Sequence, residues 1–80
     1  MKIKIFKLQN IEYKGEVISI YAPGIDGYFQ ILDNHTSFIS ILKSGILKFY
    51  FYEKNKKIIK KMKIKNGIFQ VKENDVLIFI

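Results

Sequence analysis

Hydrophobic and polar positions alternate along most of this chain with a period of two, and no helical period of 3.6 residues runs for long. Ile3 and Ile5 are set between Lys2, Lys4 and Phe6. Leu47, Phe49 and Phe51 fall on one side of a run whose other side is Ile46, Lys48, Tyr50 and Tyr52. Ile58, Lys60, Met62 and Ile64 oppose Ile59, Lys61 and Lys63, and Val76, Ile78 and Ile80 oppose Leu77 and Phe79. Successive side chains of a strand point to opposite faces, so each run predicts a strand with one side turned to a core. Turn residues punctuate the runs at Gln9-Asn10, Ala22-Pro23-Gly24, Asp26-Gly27, Asp33-Asn34, Ser44-Gly45, Glu53 to Lys56, Asn66-Gly67 and Glu73-Asn74-Asp75. Asn66-Gly67, between two apolar runs, is the strongest hairpin signal. The expected fold is all-β, a small sandwich or barrel of about ten short strands.

Composition narrows the picture. Eighty residues leave room for one core, so residues 1–80 are expected to form a single domain. There is no cysteine, which excludes disulfides and thiolate metal sites, and a lone histidine does not make a zinc site. No apolar run reaches the roughly 18 residues of a membrane span, and Met1-Lys2-Ile3-Lys4 does not read as a signal peptide. The expectation is an intracellular protein that is not embedded in a membrane. The chain holds 16 isoleucines and 14 lysines but no arginine, and its net charge is +7. That skew reads as codon bias. The missing guanidinium nevertheless matters, because bidentate phosphate or guanine contacts use its fork.

Few residues offer chemistry. His35 alone suits acid–base work near neutrality. Ser37, Ser40, Asp33 and Asp26 are close in sequence, but no strand–Gly-x-Ser-x-Gly–helix context surrounds them. A histidine bonded locally in a turn is the default reading. Gly24-Ile25-Asp26-Gly27 lacks the lysine and the helix of a phosphate-binding loop, so it reads as a tight turn. No catalytic, cofactor-binding or metal-binding residue is expected. Seven of the fourteen lysines fall between Lys54 and Lys65. Their default role is to guard an exposed hairpin against edge pairing. A nucleic-acid surface with Tyr50, Phe51 and Tyr52 as stacking groups is one alternative, and attraction to an anionic membrane surface is another.

The stretch from Gly15 to Gly45 carries a further pattern. It contains Gly15-Glu16-Val17, then Ala22-Pro23-Gly24-Ile25-Asp26-Gly27-Tyr28-Phe29-Gln30-Ile31-Leu32, then Asp33-Asn34-His35-Thr36-Ser37 and Leu42-Lys43-Ser44-Gly45. Lys65-Asn66-Gly67-Ile68-Phe69-Gln70-Val71 and Asn74-Asp75-Val76-Leu77-Ile78 follow. The series resembles, in order, the N-terminal domain of the epsilon subunit of the F-type ATP synthase. Asp33-Asn34 replaces that family's Pro-Gly, Ser37 and Ser44 replace prolines, Gln30 replaces a glycine, and Asn66 replaces the first of two glycines. Asn34 and Asn66 are reasonable substitutes, since asparagine tolerates left-handed backbone.

The resemblance implies a β-sandwich of about ten strands in the rotor stalk. It also implies a non-catalytic subunit that docks on gamma and the c-ring, couples proton translocation to ATP synthesis, and binds no cofactor or nucleic acid. The site would be peripheral, near the cytoplasmic face of a bacterial inner membrane without insertion. The family's C-terminal helical hairpin is expected to be missing, because the chain stops where the sandwich should end. By resemblance, His35 and Ser40, with Lys7 on an adjacent strand, lie against gamma. A loop containing Asp26, Gly27, Tyr28, Phe29 and Leu32 faces the c-ring, within a longer loop from Gly24 to His35. Pro23, Gly24, Gly27, Asn66 and Gly67 are its and its neighbours' turn formers. Tyr28 and Phe29 should point oppositely, one to a partner and one to the core. Far-ultraviolet circular dichroism should show no more than about a tenth helix, against the third usual for globular domains.

Overall fold

The computed structural model describes residues 1–80 and contains nine strands and no helix. They are β1 (Lys2–Lys7), β2 (Asn10–Glu16), β3 (Ser19–Gly24), β4 (Gly27–Leu32), β5 (Phe38–Leu42), β6 (Gly45–Glu53), β7 (Lys56–Ile64), β8 (Gly67–Lys72) and β9 (Asp75–Phe79). The sheet runs β2-β1-β9-β8-β5-β3-β6-β7, with β4 on the free side of β3. It folds over itself, so β2-β1-β9-β8-β5 forms one layer and β4-β3-β6-β7 the other. The layers join at a corner where Gly24 pairs with Leu42. There Ile25 N–H donates to Ile41 O at 3.0 Å and Lys43 N–H to Pro23 O at 2.8 Å.

Alternation fills the space between the layers. Ile3, Ile5, Phe69, Val71, Val76, Ile78 and Leu42 point in from the first layer and are buried. Ile20, Ala22, Ile31, Leu47, Phe49 and Ile64 meet them from the second. Phe29 on β4 lies edge-on to Phe38 of β5 at 5.1 Å and to Phe69 of β8 at 5.0 Å. Tyr13 on β2 packs on Phe49 of β6 at 4.7 Å, tying the other flank. Aromatic pairs in this geometry add about 0.5–1.5 kcal/mol each beyond the area they bury.

The turns depart from two sequence expectations. Asn66-Gly67 is not a hairpin: β7 pairs only with β6, and β8 pairs with β5 and β9. The segment carries the chain between layers, and neither residue has a positive φ. Gly67 is needed for another reason, since a Cβ there would lie 2.5 Å from the Phe79 carbonyl oxygen. The tight hairpins fall instead at Lys54-Asn55 (φ 51° and 64°) and Glu73-Asn74 (φ 51° and 64°), the left-handed pairs that two-residue β-turns require. Nor is Gly24 to His35 a long loop. Gly27–Leu32 is a strand paired with β3, and only the Ile25-Asp26 turn and Asp33–Ser37 lie outside the sheet. Gly27 does have a left-handed φ of 130°, so it is a turn former, and Asn34 at 63° adopts the left-handed backbone that asparagine tolerates.

One end of the sandwich is closed by a polar node. The Met1 amino group donates to Val17 O at 3.0 Å and to Asp33 Oδ1 at 2.8 Å, with Glu16 Oε2 at 3.7 Å. Asn74 Nδ2 donates to the same Asp33 oxygen at 3.0 Å, and Asn74 Oδ1 accepts from Asn34 N–H at 2.8 Å. Hydrogen bonds from the Met1 amino group and from Asn74, together with the amino group's charge, hold the Asp33 carboxyl below its ordinary range.

Two outcomes follow for stability. Gly27→Ala and Gly67→Ala should each lower urea stability by about 1–3 kcal/mol, the first through backbone strain and the second through a clash with rigid backbone. Asp33→Asn should be less stable than the parent at neutral pH. Because the folded acid titrates below the unfolded value of 3.8, its contribution is complete above that pH and fades as pH falls through the folded value. The gap between parent and variant should therefore close in acid, and urea titrations across that range measure it.

Candidate docking surfaces

The sandwich presents two outer faces of different character. On the first layer, side chains that point away from the core line up across five strands. Register places Ile41 beside Ile68, Ile68 beside Phe79, Phe79 beside Phe6, and Phe6 beside Ile11. Phe6 and Phe79 stack at 5.2 Å. Ile39, one pleat along, is 70% exposed, and Ile41, Ile68 and Phe79 are 58%, 50% and 43% exposed. Single exposed apolar side chains are ordinary, but a contiguous row across a sheet marks an interaction surface. The row exists only through the order β2-β1-β9-β8-β5, which the sequence does not state.

The residues expected to meet gamma are spread around this layer. Lys7 ends β1 and is exposed, level with Gly67 and Leu42. Two strands, β9 and β8, separate β1 from β5, so Lys7 is not on a strand adjacent to Ser40. His35 precedes β5 at the other end of the sandwich, exposed, with Nδ1 2.8 Å from Thr36 O and its ring edge-on to Phe38 at 5.8 Å. Ser40 shares the inward side of β5 with Phe38 and Leu42, and its hydroxyl donates to Ile41 O at 3.1 Å. The three do not converge.

The residues expected to face the c-ring form a hairpin rather than a loop. Asp26 is at its exposed tip beside Ile25, Gly27 and Gly24 close it, and Leu32 is exposed at the far end of β4. Tyr28 points out and Phe29 points into the core, as alternation requires. Tyr28 lies opposite Pro23, and its hydroxyl accepts from Ile46 N–H at 2.9 Å, pinning the hairpin to the start of β6. Gln30 donates to the buried Ser19 hydroxyl at 2.9 Å, so the side chain that replaces a glycine satisfies a polar group that would otherwise be stranded.

The outer face of the second layer carries Tyr21, Tyr28, Tyr50 and Tyr52 with Lys48, Lys57, Lys61 and Lys63. Phe51 turns the other way and packs against the core, so it cannot stack on a base. Lys57 Nζ sits 4.1 Å from the Tyr50 ring centre, and Lys48 Nζ 4.6 Å from that of Tyr21. Lys56, Lys57, Lys60, Lys61 and Lys63 line β7, an edge strand, as the edge-guarding reading anticipates. No group of acids and histidine is arranged to hold a metal ion.

Comparison with known proteins places this geometry in context. The family model for the ATP synthase delta/epsilon chain β-sandwich domain matches residues 1–80. The ATP synthase epsilon chain of Leptospira interrogans is 35% identical over 78 residues, covering 98% of this chain and 58% of that protein. The epsilon chain of Chlorobium limicola is 34% identical over 77 residues, covering 96% of this chain and 84% of that one. The chain thus spans little more than half the length of the Leptospira relative. A chain in the central stalk and c-ring structure of the Tetrahymena thermophila mitochondrial ATP synthase superposes with a TM-score of 0.82 at 16% identity, covering 98% of this chain and 60% of its own length, a likeness of fold. One in the Euglena gracilis mitochondrial ATP synthase gives 0.82 at 25% identity, covering 96% and 48%. With the match running through every strand, the chain belongs to the ATP synthase delta/epsilon family, as its β-sandwich domain.

Proposed function

We propose that this chain is a non-catalytic subunit of the rotor of a proton-translocating ATP synthase. It docks on the gamma subunit and on the polar loops of the c-ring, and it passes torque between them. It works at the cytoplasmic face of a bacterial inner membrane, as a peripheral protein. The observation that carries this reading is the exposed apolar row Ile41–Ile68–Phe79–Phe6–Ile11. A row of that length on a family member calls for a permanent neighbour, and gamma is the neighbour proposed. Lys7 adjoins the row beside Phe6, His35 stands off at the other end of β5, and Ser40 faces inward and leaves its part to Ile39 and Ile41.

The β3–β4 hairpin is the proposed foot on the c-ring. A foot must keep its shape under load. This one is clamped by the Tyr28–Ile46 bond and by the packing of Phe29 on Phe38 and Phe69. The side chains of Ile25 and Asp26 at the tip are exposed and free of structural duty, so they are the proposed contact residues.

Two variants separate these surfaces. Ile41→Asp with Ile68→Asp should leave the circular dichroism spectrum intact and weaken binding to purified gamma by about 2–4 kcal/mol, the scale of interface anchors. Ile25→Asp with Asp26→Lys should keep gamma binding and ATP hydrolysis but lower ATP-driven proton pumping in membrane vesicles. Wild-type gamma affinity in the first pair would remove the apolar row from the proposal. Wild-type pumping in the second would remove the foot.

A further inference from the structure

The outer face of the second layer is unused by the stalk reading, and its charge is unbalanced. No lysine ammonium in the protein lies within 4.0 Å of a carboxylate; the only ion pairs are those of the Met1 amino group. Lys48 and Lys61 are direct cross-strand partners, an arrangement that costs stability when nothing neutralises it. Lys63 follows on the same face of β7, and the three surround a shallow hollow completed by Tyr21, Tyr28 and Ile46. Every outward position of β3, β4, β6 and β7 between Ser19 and Lys63 is apolar, aromatic, neutral polar or lysine.

We propose that this face, centred on Lys48, Lys61 and Lys63, is a docking surface for an anionic phospholipid bilayer. Charge complementarity requires an anionic partner, and three features select a lipid surface. Lysine ammoniums are point charges without fixed directionality, suited to headgroups that rearrange beneath them, whereas fixed acids of a protein partner favour the arginine fork this chain lacks. The faces of Tyr21 and Tyr50 are already covered by Lys48 and Lys57, and the exposed Tyr28 and Tyr52 lie at opposite ends of the face, so successive bases of a nucleic acid would find no run of neighbouring open rings. Tyrosines with polar tips, together with exposed Ile46 and Ile59, match the mixed chemistry of the headgroup layer. The apolar row lies on the opposite face of the sandwich, so the two surfaces do not compete, and this inference stands independently of the stalk neighbours.

The test is co-sedimentation of the free chain with vesicles of phosphatidylcholine alone or with one-third phosphatidylglycerol. Binding is expected only to the anionic vesicles, and it should vanish in half-molar salt as the screening length shrinks below about 5 Å. Lys48→Gln/Lys61→Gln/Lys63→Gln should reduce partitioning about a hundredfold, at roughly fivefold per lysine. Lys2→Gln/Lys4→Gln/Lys14→Gln removes the same charge from the first layer and should cost far less; circular dichroism confirms that both variants fold. Equal losses in the two variants would reduce the effect to net charge and overturn the proposal. So would absence of binding to anionic vesicles at low salt, or tighter binding to polyuridine RNA or polyglutamate than to the vesicles.

Discussion

Two backbone hydrogen bonds at one corner hold the sandwich together as a single sheet. Ile25 N–H to Ile41 O and Lys43 N–H to Pro23 O carry the ladder from β5 to β3, turning it from one layer into the other. Gly24 is at that corner because a Cβ would lie 2.8 Å from Gly27 O and 2.9 Å from the Phe29 ring. Phe29 also packs edge-on against Phe38 and Phe69, so the tight corner and that aromatic cluster are one construction. If the corner opened, β5 and β3 would each become an edge, and an edge exposes unpaired backbone groups to other chains.

From that corner the two outer faces follow by register. In the first layer the outward pleat carries a row of isoleucine and phenylalanine at one end and charged residues at the other. In the second it carries tyrosine and lysine. Neither face is a by-product of filling the core, because the core is closed by the inward residues alone. Two chemically distinct outer faces suit the domain to adhesion, and its few buried polar groups are satisfied. The buried Ser19 hydroxyl has Gln30, and no buried side-chain donor or acceptor lacks a partner.

Much of this was legible in the sequence because alternation states burial directly. Leu47, Phe49 and Phe51 on β6, and Val76 and Ile78 on β9, point inward where their spacing puts them. What failed to read was pairing. Asn66-Gly67 has the composition of a hairpin, yet a dipeptide does not reveal whether its flanking strands share a layer, and here β7 and β8 do not. The Gly24–His35 stretch looked like a loop because its turn residues cluster at Asp26-Gly27, while Tyr28 to Leu32 is short and aromatic enough to be a strand in its own right. The Asp33 node was invisible for the same reason as the apolar row: Met1, Asp33 and Asn74 are brought together only by the topology. The family pattern supplied the fold and the order of its segments, but not which way Ser40 faces or how far Lys7 lies from it.

The parallel pairing of β1 with β9 has a consequence for biosynthesis. β1 is an interior strand, flanked by β2 and β9, yet of the nine strands it leaves the ribosome first and its second neighbour last. Until Asp75–Phe79 emerges, one side of β1 has no partner and Ile3 and Ile5 have no lid from Val76 and Ile78. Structures dominated by such distant pairings fold slowly, and the waiting chain is prone to aggregate. Translation therefore presents an unfinished sheet with an open seam along β1, and the arrival of β9 decides whether it closes on itself or on another nascent copy.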